Sequence, residues 1–148
     1  MKVYVASSWR NKKQPEVVSA LREIGLDVYD FRNPAPGNHG FHWSKIDKDW
    51  KTWTPTEFMM GLKHRIAEDE FQSDLEAIET SDICVLCLPG GRSSHLEAGY
   101  FVGAKKKLLI LVTEEIEPEL MYKMADYVAT SIKDISSWIT CYCAPRAI

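Results

Sequence analysis

The chain has 148 residues, 45% of them hydrophobic and 26% charged, enough for one buried core and too few for two. Its net charge of -3 argues against the broad basic face of a protein that binds a nucleic acid polymer, but not against a small phosphorylated ligand held by local basic groups. No apolar run reaches transmembrane length, and the opening MKVYVASSW reads as a strand rather than a signal peptide, so a cytoplasmic protein with no membrane partner is expected.

The elements follow one another in a regular rhythm. Lys2 to Ala6 is a β-branched and aromatic run, the first strand. Pro15 opens a helix whose apolar positions Val17, Val18, Leu21 and Ile24 have helical spacing, and Gly25 is placed to stop it. Leu26 to Phe31 is the second strand. Residues 33–54 then break the pattern with prolines and glycines followed by Trp43, Trp50 and Trp53. A segment this long in a compact domain is functional or mobile as a rule. Two readings of its tryptophans stand: a lid over a ligand, or packing against the body.

Order returns at Thr54, where Thr as N-cap, Pro55 at N1 and Glu57 at N3 form a capping-box pattern for a helix to about His64. A second helix is expected over Glu68–Thr80, with Phe71, Leu75 and Ile78 on one face. Ile83–Leu88 is the third strand, followed by a glycine-rich turn and a helix-like run from Leu96. Lys107–Val112 is the fourth strand. Pro118–Met124 suggests a short helix, Tyr127–Ala129 a fifth strand and Ile132–Ile139 a last helix. Strands that alternate with helices predict one Rossmann-like, flavodoxin-like α/β domain over residues 1–148. About five parallel strands would carry helices on both faces, with the Trp-rich stretch as an insertion.

The four cysteines and four histidines show no metal-ligand spacing. Cys84 and Cys87 imitate a C-x-x-C pair, yet an odd offset on a strand sends them to opposite faces. Cys141 and Cys143 have no histidine near them in sequence. No metal and no cofactor is expected.

The turn reading PGGRSSHLEAGY, from Pro89 to Tyr100, carries the chemistry. Strand, glycine turn and helix start is where α/β proteins place ligands, and a helix N-terminus offers unpaired N–H groups and partial positive charge to an anion. Glu97 has two compatible readings. Ser94 to Glu97 is a capping-box pattern, and a carboxylate kept ionised in a first helical turn is also what a nucleophile requires. Arg92 is either a solvent-facing turn residue or a bidentate phosphate contact. His95 is either a phosphate contact or an ordinary residue of the first turn.

Three stretches together resemble the nucleoside 2-deoxyribosyltransferase superfamily, which includes the 2′-deoxynucleoside 5′-monophosphate N-glycosidases. They are KVYVAS from Lys2, DLEAIETSD from Asp74, and SSHLEAGYFVGAKKK from Ser93, and they span most of the Rossmann-like core. The resemblance implies that Glu97 is the nucleophile at the anomeric carbon and that Asp74 positions or protonates the departing base. A solvated charge on a helix face is the other reading of Asp74. Ala6, Ser7, Ser8 and Trp9, after the first strand, correspond to the loop that the family uses against base and sugar. Arg10 is either a phosphate contact or a surface residue.

In the family's transferases an aspartate upstream of the nucleophile accepts a hydrogen bond from the sugar's 5′-hydroxyl. The phosphate-accepting members have serine and backbone N–H groups there instead. Here Gly91, Arg92, Ser93 and Ser94 supply no carboxylate, so a nucleoside 5′-monophosphate is the expected small-molecule partner. The implied reaction is hydrolysis of its N-glycosidic bond through a glycosyl-enzyme on Glu97. The alternatives are a transferase that exchanges bases, and a nucleotide-binding sensor without turnover. The resemblance also implies a homo-oligomer, with Pro118–Met124 a candidate to complete a neighbour's site.

Overall fold

In the computed structural model, which describes residues 1–144, the chain forms two compact units. One comprises Met1–Tyr29 and the residues from Ser81 onward; the other is Asp30–Thr80.

The first unit is built on a sheet of order β2-β1-β3-β4-β5. Its strands are β1 (Lys2–Ala6), β2 (Asp27–Asp30), β3 (Ile83–Leu88), β4 (Lys107–Val112) and β5 (Tyr127–Ala129). The pairs β1–β3, β3–β4 and β4–β5 run parallel, with Val3 opposite Ile83 and Ile83 opposite Lys107. β3 is buried along its whole length, as its unbroken apolar run demands of a central parallel strand.

The period of two sorts the strand side chains onto two faces. Val3, Val5, Ile83, Val85, Cys87, Leu109 and Leu111 form one core. Val17, Val18 and Leu21 of α1 (Gln14–Glu23) and Ile135 and Ile139 of α5 (Ile132–Cys143) cover it. Each such side chain contributes about 1.5–3 kcal/mol by leaving water. On the other face the Tyr4 ring stacks on Tyr29 at 5.3 Å and packs on Phe101 of α4 (Arg92–Gly103) at 6.0 Å. Helices thus cover both faces. Cys87 belongs to the α1–α5 core, and the equally buried Cys84 projects to the α4 side, as their odd spacing requires.

Most element bounds fall where the sequence puts them. Gly25 takes the left-handed φ of 84° just past α1, a conformation that costs other residues steric strain. Asp82 ties the amino ends of the strands together: its carboxylate accepts the Lys2 N–H at 2.8 Å, and its own N–H reaches Lys2 O. α5 runs to Cys143, beyond the expected Ile139, so Cys141 and Cys143 lie exposed on its last turn.

The second unit contains α2 (Pro55–Leu62) and α3 (Arg65–Thr80), preceded by 3₁₀ turns at Trp43–Lys45 and Trp50–Thr52. The Thr54–Glu57 capping box forms with both of its hydrogen bonds. The tryptophan segment is ordered by its own aromatic cluster. Trp43 meets Phe41 at 4.8 Å and Trp53 at 5.6 Å in edge-to-face contacts, and Phe58 at 6.3 Å. The Trp53 Nε1–H donates to Asp47 at 2.6 Å, and Gly61 lies directly under that ring, where a Cβ would collide. α3 starts three residues earlier than expected and buries Ala67, Ala77 and Ile78, while Phe71 is exposed.

Candidate active site at the carboxyl ends of β1 and β3

The strand order reverses direction between β1 and β3, so the loops leaving them diverge and open a crevice at their carboxyl ends. Those loops are stitched together. The Ser7 hydroxyl donates to Cys87 O at 2.7 Å. The Asn11 amide donates to Cys87 O at 3.2 Å and to Pro89 O at 3.4 Å. Asn11 is buried, and its Oδ1 accepts the Lys13 N–H at 2.9 Å, which sets the turn into α1. Asn11 is a site residue that the motifs do not mark; its one signal in the sequence is its place just ahead of a proline-opened helix. Ser8 is half-buried and accepts the Arg10 N–H, Ala6 is fully buried at the strand end, and Trp9 and Arg10 are exposed.

α4 begins earlier than the apolar pattern indicates. Its N-cap is Gly91, so Arg92, Ser93 and Ser94 form the first turn and Glu97 lies in the second. The capping-box reading of Ser94 and Glu97 is therefore corrected: no side chain caps this helix. Instead the Ser94 hydroxyl, 1% exposed, donates to Gly91 O at 2.7 Å. Gly90 makes that turn possible, since a Cβ there would stand 2.7 Å from Ser94 Oγ. Arg92 and Ser93 are exposed at the uncapped end, where first-turn N–H groups have no intrahelical acceptor.

Glu97 is half-buried and shares one side of α4 with the buried Ser94 and Phe101, three and four residues away along the helix. Its charge reaches the thiol of Cys84. Burial pushes that thiol well above its usual range, Glu97 pushes it further, and a hydrogen bond with the Ala6 backbone acts the other way. Half-buried on the side of α4 that packs on the sheet, Glu97 is not a fully solvated side chain.

His95 points elsewhere. Its Nδ1 is 2.7 Å from Gly91 O and its Nε2 2.9 Å from the Tyr122 hydroxyl. The two rings stack with centroids 5.8 Å apart. They border an open groove of about 720 Å³ lined by Gly91, Arg92, His95, Ile116, Glu119 and Tyr122 among others. Neither Glu97 nor Ser7, Ser8 or Trp9 lines that groove. The glycine turn and Arg92 thus line this groove, and Glu97 does not.

Asp74 belongs to the second unit. It is half-buried on the α3 face that also buries Ala77 and Ile78, not on the solvated face. Among the described residues no cluster of three or more His, Cys, Asp or Glu is placed to hold a metal ion, and no helix is long and apolar enough to cross a membrane.

No protein-family model and no curated protein matches the chain. Solved structures do. A 2-deoxyribosyltransferase from the psychrotolerant bacterium Bacillus psychrosaccharolyticus superposes with a TM-score of 0.59 at 18% identity, over 92% of this chain and 90% of that one. The CMP N-glycosidase of Clostridium botulinum superposes with a TM-score of 0.51 at 15% identity, over 95% and 99%. The fold is that of the 2-deoxyribosyltransferases and related N-glycosidases, as the three sequence stretches implied.

Proposed function

We propose that the protein cleaves the N-glycosidic bond of a (2′-deoxy)nucleoside 5′-monophosphate through a covalent glycosyl-enzyme on Glu97. The observation that supports this most is the orientation of Glu97. It is a half-buried carboxylate on the inward side of α4, one helical turn below an uncapped N-terminus, at the strand ends where such folds bind ligands. Both solved neighbours are enzymes that act on nucleoside-type glycosidic bonds by name.

In the proposed reaction a Glu97 carboxylate oxygen attacks C1′ as the bond to the base nitrogen breaks. The bonding pair leaves with the base, which is protonated with the help of Asp74. Positive charge on the sugar in the oxocarbenium-like transition state is stabilised by the carboxylate. Water then attacks C1′ as the bond to the Glu97 oxygen breaks and gives its proton to Asp74, which releases the free sugar phosphate and restores both carboxyl groups. Arg92, Ser93 and the first-turn amides of Gly91 to Ser94 are proposed to hold the phosphate, with the Ser94 hydroxyl serving the turn itself. Ala6, Ser7, Ser8 and Trp9 would flank base and sugar.

A second reading is base exchange, favoured by the transferase having the higher superposition score of the two neighbours. In it a free base rather than water resolves the glycosyl-enzyme. Chromatography of free bases separates the readings. Release from monophosphates in buffer supports the hydrolase, release only with an acceptor base supports the transferase, and binding without release supports a sensor.

A homo-oligomer is also proposed. Gly99 and Gly103 lie four residues apart on α4 with open space where a Cβ would stand, so the monomer gives no reason for two helix-weakening glycines. Exposed Leu96 and Tyr100 share that stripe, and Leu120 and Met121 are exposed nearby in sequence to Tyr122. Sedimentation of the Gly99→Glu variant tests this: its side chain enters open space, so the fold persists while helix-to-helix packing is blocked and only monomer remains.

A further inference from the structure

The geometry points to His95 as a positioning residue that, through Tyr122, ties the connection between β4 and β5 to the glycine turn and so fixes the wall of the groove beside Arg92. This goes beyond the proposed cleavage reaction, and only its kinetic consequence rests on that reading.

Hydrogen-bond chemistry fixes the state of the ring. Gly91 O, 2.7 Å from Nδ1, can only accept, so Nδ1 carries a hydrogen. In the neutral ring Nε2 is then an acceptor, and the Tyr122 hydroxyl 2.9 Å away is its donor. A free imidazole has no such constraint. Both nitrogens are committed to the protein, one to Gly91 and one to Tyr122, and the 21° angle between the rings lets them stack as well.

Asp126 fixes the end of the β4–β5 connection on Leu108 and Lys107, and Tyr122 is the side-chain anchor of the turn before it. Residues 113–126 contain only the short 3₁₀ turn Leu120–Met124, whose N-cap Glu119 gives no side-chain cap. Within that turn Leu120, Met121, Lys123 and Met124 are exposed and Tyr122 alone is half-buried. Burial, followed by the charge of Glu119, raises the Tyr122 pKa, so the hydroxyl keeps its hydrogen and can donate it. A short 3₁₀ turn has weak internal bonding, so its position depends on this side-chain anchor. The anchor sits on the turn that presents Arg92, which lines the same groove. Loss of the latch frees one wall of the groove without touching Glu97.

The test uses the full-length protein with Tyr122→Phe, which keeps the stacked ring and removes the hydroxyl, and with His95→Ala. Long-range ¹H–¹⁵N correlation spectra at pH 8 are expected to show the Nδ1–H tautomer of His95 in the unaltered protein. In Tyr122→Phe the Nε2 signal is expected to move to that of an acceptor with no donor. Amide hydrogen exchange over residues 113–125 is expected to quicken by about tenfold in both variants, the scale of one lost hydrogen bond, with β3 and β4 unchanged. An Nε2–H tautomer, an unmoved Nε2 signal or unchanged exchange overturns the latch. With a monophosphate substrate, KM is expected to rise about tenfold in His95→Ala while kcat stays within about twofold; equal losses in kcat and kcat/KM overturn the positioning role. If no substrate turns over, the cleavage reading fails while the spectra and the exchange still decide the latch.

Discussion

The negative charge of Glu97 is felt at the thiol of Cys84, a fully buried side chain of β3 on the face that α4 covers. Glu97 is half-buried on the side of α4 that buries Ser94 and Phe101, and Cys84 is a reporter of that side. Burial first, then Glu97, holds the thiol well above its usual range, and a thiol that does not ionise does not react. In the folded protein, Cys141 and Cys143 should react with a disulfide reagent while Cys84 and Cys87 do not. Thiol titration before and after denaturation checks this, with about two equivalents expected before and about four after.

Arg92 is the side chain proposed to distinguish a monophosphate from a nucleoside. Removal of one charge-assisted contact in Arg92→Ala is expected to raise KM for the monophosphate by roughly 10- to 100-fold. The value for the unphosphorylated nucleoside should stay within about twofold. Paired steady-state kinetics on the two substrates measure the difference, and an equal loss on both removes the phosphate assignment.

Gly90 is required by contact, not by an unusual φ. A Cβ there meets Ser94 Oγ at 2.7 Å, and His95 Cε1 and Leu86 Cδ1 at 3.2 Å, atoms of the first turns of α4 and of β3. Gly90→Ala is therefore expected to cost about 1–3 kcal/mol, the scale of overpacking a tight site. Urea unfolding monitored by circular dichroism gives the value.

Asp126 anchors the start of β5. Its Oδ1 is 2.6 Å from Lys107 Nζ, its Oδ2 accepts the Leu108 N–H, and its own N–H donates to Leu108 O. Burial alone would raise its pKa, but the Lys107 and Leu108 hydrogen bonds outweigh that and leave it lowered. A carboxyl depressed in the folded state stabilises the fold above its unfolded pKa, about 3.9, and loses that contribution as pH falls through the folded value. Unfolding midpoints should thus drop as the pH falls below about 4, and Asp126→Asn should flatten the drop.

β3 and β4 were legible because each is a near-continuous apolar run, and their burial follows from that; β2, Asp-Val-Tyr-Asp, and the mostly exposed β5 depend on their neighbours in the sheet. The Thr54 capping box was legible for a similar reason: all its partners lie within four residues. The start of α4 was not. Gly-Gly-Arg-Ser-Ser has poor helix propensity, and the turn is fixed by Ser94 reaching back to Gly91 O and by close packing at Gly90. Phe71 fits the apolar spacing of α3, yet Ala67 and Ala77 hold the buried face, a choice that depends on packing rather than period. The His95–Tyr122 and Asn11–Cys87 bonds join residues 27 and 76 positions apart, a separation that no local pattern encodes. Glu97 was singled out by its order among three motifs, and its inward orientation by structure alone.

The central claim is that Glu97 forms a covalent bond to the sugar. The direct measurement is mass spectrometry of the protein quenched during turnover of a 2′-deoxynucleoside 5′-monophosphate, with base release followed in parallel. A deoxyribosyl-phosphate adduct is expected on the peptide containing Glu97, absent in Glu97→Gln, whose base release should fall at least about 1,000-fold. An adduct on another residue, or wild-type base release by Glu97→Gln, would contradict it.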